Sequence, residues 1–244
     1  MNAALEAAPP LALSRWSFLT AEWRHLCLFT YAVDPARLQP FVPPGCTLDT
    51  QDGKAFVSLV AFDFCDTRVL GVSWPGYRDF PEINLRFYVR HGETRGVAFL
   101  REYVPGRLVA FLARTLYNEP YARAPMVSVV RTSEHAIEVE HALKLGGRTQ
   151  RLRVLAHRSA SVPGEDTTAH FFKEHSWGYG VSRRGELVRY EVRHPVWATY
   201  PVERFDLDWE FGRVYGSAWA DLSQAEPVSV VLAVGSPVRV SPRV

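Results

Sequence analysis

Short hydrophobic stretches bounded by turn residues dominate this sequence of 244 residues. Their lengths, and the period of two that several of them show, are typical of β-strands. The pattern predicts strands over residues 23–32, 55–64, 82–90, 96–104, 126–132, 136–145, 148–158, 177–183, 186–197 and 228–234.

Helical patterns are fewer and shorter. Asp34 and Pro35 supply an N-cap and a proline at the first helical position, which predicts a helix ending near residue 42. Apolar residues over 108–116 fall at helical spacing, and a further short helix is predicted over 167–174. We therefore expect one mainly β (α+β) domain over residues 15–244, with two or three inserted helices, after a flexible Ala/Pro-rich segment at 1–14.

Composition and charge exclude several classes of protein. The hydrophobic content of 47% suffices for a sizeable core, and a net charge of +2 is too small for a dedicated polyanion binder. Arg151 and Arg153 share one face of a predicted strand, opposite Glu138 and Glu140 on its neighbour. We expect cross-strand ion pairs there and no nucleic-acid surface.

The predictions of cellular location and of cofactor need rest on sequence features that are absent. Three cysteines without a CxxC pair suggest buried thiols in a reducing compartment, and we find neither a signal-peptide start nor an apolar run of membrane-spanning length. We therefore expect a cytoplasmic protein that does not associate with a membrane. Phosphate-binding, dinucleotide-binding and HExxH motifs are absent, so no cofactor and no metal are predicted. His170, Glu174 and His175 are interpreted as a solvated helix end.

Two predicted strands carry candidate chemistry. On the first, Glu82, Asn84 and Arg86 alternate with apolar residues and share one face. This face either orients a polar ligand inside the domain or lies in solvent. On the second, His194 falls on the more apolar face and is expected to point inward, as a ligand contact or as a core residue.

Several motifs together carry a family resemblance. They are Tyr31 and residues 42–45 (VPPG), 48–53 (LDTQDG), 80–86 (FPEINLR), 114–121 (RTLYNEPY) and 194–197 (HPVW). Over about residues 16–210 the chain resembles the YqjF-like family of bacterial proteins, a branch of the acetoacetate decarboxylase-like superfamily. The resemblance implies a large antiparallel β-barrel with a polar pocket inside.

The same resemblance implies a site with a changed residue. Acetoacetate decarboxylases use a lysine that forms a Schiff base, with an arginine and a glutamate, which here correspond to Arg24 and Glu82. The lysine pair corresponds to Tyr121 and Ala122. A phenol cannot form an imine, and the chain's lysines (Lys54, Lys144 and Lys173) lie elsewhere in the sequence, so the decarboxylase mechanism is not carried over.

Three functional hypotheses follow. In the first, an enzyme acts on a small oxo- or carboxylic acid by acid–base chemistry, with Glu82 and Tyr121 catalytic and Arg24, Asn84, Arg86 and His194 binding the ligand. Here Arg24 is expected to pair with Glu82 and to anchor a small anion. In the second, the pocket belongs to a non-catalytic carboxylate-binding or sensing module. In the third, the polar residues only stabilise the barrel. A homo-oligomer is left open.

Overall fold

The computed structural model describes residues 17–106, 120–164, 167, 171–172 and 175–244. Within them fourteen strands form, most of them where the hydrophobic pattern predicts strands. They are β1 Leu19–Val33, β2 Thr47–Leu48, β3 Ala55–Val69, β4 Phe80–His91, β5 Thr94–Val104, β6 Tyr121–Arg123, β7 Met126–Thr132, β8 Ala136–Leu145, β9 Arg148–His157, β10 Trp177–Val181, β11 Leu187–Arg193, β12 Thr199–Tyr200, β13 Val202–Asp208 and β14 Ser229–Val240.

The described helices are short. They are the α-helices α1 Pro35–Leu38 and α2 Phe211–Tyr215, and the 3₁₀-helices Gln39–Phe41 and Ser217–Ser223. Helix α1 begins as predicted, because the Asp34 side chain accepts a hydrogen bond of 2.8 Å from the Ala36 backbone N–H. The predicted helix over 108–116, most of that over 167–174 and the segment 1–14 lie outside the described residues.

Seven of the described strands close into a ring. Pairing runs from β4 through β3, β1, β14, β11, β10 and β5, and β5 pairs back with β4. This is the barrel-like, mainly β fold that the sequence predicts. Most neighbouring strands of the ring are antiparallel, as expected, while β5 pairs in parallel with both β10 and β6. Parallel neighbours require a long connection between the strands, and both β6 and β10 come well after β5 in the chain.

A second sheet covers the outside of the ring. Its described strands run in the order β13-β9-β8-β7, all antiparallel. Phe29 and Leu85 on the ring share one apolar core with Val139 and Val154 on this sheet. Strand β4 is therefore buried on both faces, with the apolar set that includes Ile83 and Leu85 pointing outward to the second sheet. The polar set points into the ring.

The arginines of the second sheet form the expected ion pairs. Arg153 Nη2 lies 2.8 Å from Glu140 Oε2, and Arg151 Nε lies 3.9 Å from Glu140 Oε1. The prediction of cross-strand pairing is confirmed. The sequence pattern missed the segment after residue 200, where β13, α2 and the second 3₁₀-helix form, because it contains no long apolar run.

Two irregularities in the ring decide which side chains point inward. In β1 the pairing with β3 shifts by one residue between Arg24 and Cys27, and His25 there has a φ of 55°. Gly235 lies opposite this bulge, where a Cβ would stand 1.9 Å from the Trp23 carbonyl oxygen. A further shift falls between Leu85 and Arg86 in the pairing of β4 with β5, and the extra residue there is Leu100 of β5. A bulge reverses the alternation of side chains beyond it.

Two buried histidines should make stability depend on pH. Burial lowers the pKa of His141, and it lowers that of His175 to about 4, from an ordinary 6.5. Below pH 6.5 the unfolded chain takes up protons that the folded chain does not, so stability is lost as the pH falls from 6.5 towards 4. Each histidine contributes a slope of up to about 1.4 kcal/mol per pH unit.

Urea unfolding at pH 7 and pH 5 measures this slope. We expect His141→Leu to reduce the slope of the unfolding free energy against pH, by at most the contribution of one proton. The exposed His135 serves as the matched control, and His135→Gln should leave the slope unchanged. Asp49, which faces His175, has a pKa lowered below 3.8 and titrates beneath this window. An unchanged slope in His141→Leu would contradict the assignment.

Candidate functional site

A cavity of about 180 Å³ lies inside the ring. Polar side chains from three neighbouring strands form one part of its wall, and two histidines from the second half of the chain add to it. The polar lining includes Glu82, Asn84 and Arg86 on β4, Glu102 on β5, Tyr121 at the start of β6, His175 and His194.

Glu82 lies at the centre of a buried hydrogen-bonded group. It is only 3% exposed. The Tyr121 hydroxyl donates to its Oε2 over 2.9 Å, and Asn84 Nδ2 donates to its Oε1 over 3.0 Å. The sheet brings these residues together, because Asn84 pairs with Glu102 and Glu102 with Tyr121. Both carboxylate oxygens of Glu82 thus receive a hydrogen bond.

Arg86 lies two residues farther along the same face of β4. Its Nη2 donates to the Phe172 carbonyl over 2.9 Å, and its guanidinium carbon lies 5.9 Å from the centre of the Tyr88 ring. Among the described residues, its buried Nε has no hydrogen-bond partner. Arg86 is therefore the positive charge that this cavity offers to an anionic group.

His175 borders the cavity beside Arg86. Its ring lies 4.9 Å from that of Tyr88, and its Nε2 lies 4.0 Å from Asp49 Oδ2. Burial lowers its pKa to about 4, and the charges of Arg86 and Arg95 act in the same direction. The imidazole is neutral near pH 7. The interpretation of this residue as part of a solvated helix end is wrong, since its side chain is only 1% exposed.

His194 lines the cavity from the opposite side. Its ring stacks on Trp197 at 4.2 Å between centres, and its Nδ1 lies 2.9 Å from the Pro195 carbonyl oxygen. A carbonyl oxygen only accepts, so the proton sits on Nδ1. The histidine follows β11 directly, since the strand ends at Arg193, four residues before the predicted end.

The structure does not bring Arg24 to this cavity, and the expected ion pair with Glu82 is wrong. Arg24 pairs instead with Glu22 on its own strand. It lies in register with Asp63 of β3, whereas Glu82 lies in register with Phe62. Neighbouring residues of a strand point to opposite faces, so Arg24 lies outside the ring.

Lysines contribute nothing to the described cavity wall. Lys54 and Lys144 are exposed, and Lys173 lies outside the described residues. Among the described residues, no group of three or more His, Cys, Asp or Glu side chains is arranged to hold a metal ion. Nor does the described chain contain a helix long and apolar enough to span a membrane.

Comparison with known proteins assigns the family. The DUF2071 family, described as an uncharacterized conserved protein (COG2071), matches residues 20–237. The chain belongs to this family. It is 26% identical over 178 residues to the uncharacterized protein YqjF of Bacillus subtilis, and the match covers 72% of each chain. The family resemblance inferred from the motifs is confirmed.

Solved structures confirm the fold. An acetoacetate decarboxylase-like enzyme from Sphingomonas wittichii RW1 superimposes with a TM-score of 0.65 at 17% identity, covering 99% of both chains. The enduracididine biosynthesis enzyme MppR complexed with pyruvate gives 0.63 at 14%, covering 96% of this chain and 91% of its own. Acetoacetate decarboxylase from Legionella pneumophila gives 0.61 at 14%, covering 98% and 91%. This chain therefore has an acetoacetate decarboxylase-like fold.

Two cavity residues, Glu102 and His175, were not among the predicted site residues. Glu102 points inward because of the bulge at Leu100 in β5. The predicted hairpin, extended without a bulge, would pair Asn84 with Arg101 and turn Glu102 outward. No pattern in the sequence indicates this bulge. The aromatic pair before His175, Phe171 and Phe172, was the available signal that this segment is buried.

Tyr121→Phe should destabilise the fold, because Glu82 loses one donor while its carboxylate stays buried. We expect a loss of about 1 to 3 kcal/mol in urea unfolding at pH 7. Arg24→Ala provides the contrast, because its pair with Glu22 is more than a third exposed and should contribute less than about 1 kcal/mol. Equal losses in the two variants would contradict this view of Glu82.

Proposed function

We propose that this protein acts on a small oxo acid by acid–base chemistry at Glu82, without a Schiff base. The observation that carries the proposal is the Glu82 carboxylate, buried in the cavity with Tyr121 and Asn84 as hydrogen-bond donors. The presence of pyruvate in MppR, a protein of similar fold, supports an oxo acid as the ligand class.

The ligand's carboxylate would bind at Arg86. Its guanidinium has a buried Nε without a hydrogen-bond partner among the described residues, and it lines a cavity whose other charged residues are the acidic Glu82 and Glu102. The neutral His175 can donate a further hydrogen bond beside it. The proposed anion contact is therefore Arg86 on β4 and not Arg24, which lies outside the ring.

The reaction step is a proton transfer at the carbon next to the ligand's carbonyl. Glu82 takes the proton, and the electron pair of the broken C–H bond moves onto the carbonyl oxygen to give an enolate. Tyr121, which donates to Glu82 in the resting site, would turn its hydroxyl to that oxygen and stabilise its charge. Return of the proton from Glu82 closes the cycle.

A binding or sensing module is the second candidate. It is favoured by the tyrosine at the position where the resemblance implies a Schiff-base lysine. Glu82 and Tyr121 would then only orient a ligand. The two functions differ in a measurable way, since binding alone does not exchange protons on carbon.

Proton exchange in D₂O tests the first candidate. We expect the protein to speed the loss of the ¹H NMR signal from the carbon next to the carbonyl of 2-oxobutyrate or a longer 2-oxo acid. Glu82→Gln should slow this exchange about 10²- to 10⁴-fold, as expected for a lost general base. Tyr121→Phe should slow it about 10²- to 10³-fold, as expected for a lost oxyanion donor.

Arg24→Gln is the matched control, since it changes a charge outside the cavity, and its exchange rate should equal that of the unmodified protein. Binding seen by calorimetry without any exchange would support the sensing module. Exchange that survives in Glu82→Gln would exclude Glu82 as the base.

Reduction by borohydride tests the non-covalent part of the proposal. A Schiff base requires an amine, and no described lysine lines the cavity. Treatment with borohydride in the presence of pyruvate or acetoacetate should therefore leave the protein's mass unchanged. A lysine adduct found by mass spectrometry would show that the chemistry is covalent.

A further inference from the structure

We infer that the oxo acid carries a bulky apolar group, such as an aryl or a long alkyl chain, which packs against an aromatic wall beside the polar group. This inference rests on the proposed function, because it names the substrate class of the same cavity. It is carried by the arrangement of polar and aromatic residues inside the ring.

The cavity has two zones that follow one another along β4. Alternate residues of a strand are about 6.8 Å apart on one face. The inward-facing set starts with Phe80 at the end of the strand next to the loop 70–79, and continues through Glu82 and Asn84 to Arg86. The chemistry therefore changes along the strand from aromatic to hydrogen-bonding to cationic.

Five rings form the aromatic wall. They are in mutual contact: Trp23 lies 5.0 Å from Phe62 and 6.1 Å from Trp197 between ring centres, and Phe64 stacks on Phe80 at 4.8 Å. All five line the cavity. Such a surface contributes to binding only when a ligand removes it from water.

The aromatic zone lies towards the opening. Trp74 and Tyr77, in the loop between β3 and β4, border the cavity, and Trp74 is 52% exposed. Arg86 is only 9% exposed and lies at the other end of the row. A ligand must therefore enter with its charged head first, which leaves the rest of the molecule beside the rings.

The size of the cavity agrees with a ligand of this kind. An apolar cavity of about 150 Å³ holds a benzene ring, and this one measures about 180 Å³ and opens to solvent. Pyruvate would occupy the polar end and leave the aromatic wall in contact with water. A 2-oxo acid with a phenyl or hexyl group would cover it.

A series of ligands with one head and increasing apolar groups tests the inference directly. Calorimetry with pyruvate, 2-oxobutyrate, 2-oxohexanoate, 2-oxooctanoate and phenylpyruvate should show affinity rising about fourfold per methylene. Phe80→Leu should reduce the ratio of phenylpyruvate affinity to pyruvate affinity. Phe41→Leu is the matched control, because Phe41 is 47% exposed and does not line the cavity.

Equal affinity for the short and long acids would overturn the inference, whether or not proton exchange is observed. A rise along the series without proton exchange would support the apolar zone and overturn the proposed catalysis. The probe 3-phenylpropylamine, which carries a positive charge in place of the carboxylate, separates the contribution of the charged group from that of the apolar group. If it bound more tightly than phenylpyruvate, the anionic head of the proposed function would be wrong, while the apolar zone would stand.

Discussion

The arrangement of side chains inside this protein depends on one constraint, which is that a buried carboxylate must receive hydrogen bonds. Glu82 is withdrawn from water, and a carboxylate in that position is tolerated only with hydrogen-bond donors around it. Tyr121 and Asn84 supply them from β6 and from β4 itself. This requirement explains the position of the short strand β6. It pairs with β5 in register with Asn84, so that Tyr121, the first residue of β6, reaches the carboxylate.

The second sheet makes the ring interior available for this chemistry. It buries the apolar outer faces of β1, β3 and β4, and this outer core contributes stability independently of the residues that line the cavity. The strands therefore do not need an apolar inner face along their whole length. Polar and aromatic residues can line the cavity in the order that a ligand requires.

Much of the fold and part of the site could be predicted from the sequence. The period of two on β4 separated Glu82, Asn84 and Arg86 from the apolar residues between them, and the motifs indicated the superfamily. Periodicity could not decide whether the polar face was inside or in solvent, because that depends on which face the second sheet covers. The resemblance linked Tyr121 to Glu82, although the two residues are far apart in the chain.

The orientations of Arg24 and Glu102 escape prediction for one physical reason, because a bulge lies near each of them. Counting back by twos from the inward-facing Leu26 and Leu28 would place Arg24 inside the ring, and the bulge at His25 turns it out. The bulge in β5 turns Glu102 in and Arg101 out. Both events depend on backbone conformation at one residue, which hydrophobic patterns do not record.

These two bulges together set the sign of the charge inside the protein. With regular strands, Arg24 and Arg101 would join Arg86 in the cavity and Glu102 would leave it. With both bulges, two glutamates face a single arginine. Gaining or losing one residue in β1 or β5 would thus change the electrostatic character of the cavity without a single substitution among its lining residues. In this fold, insertions and deletions of one residue are a route by which ligand preference can diverge between relatives of otherwise similar sequence.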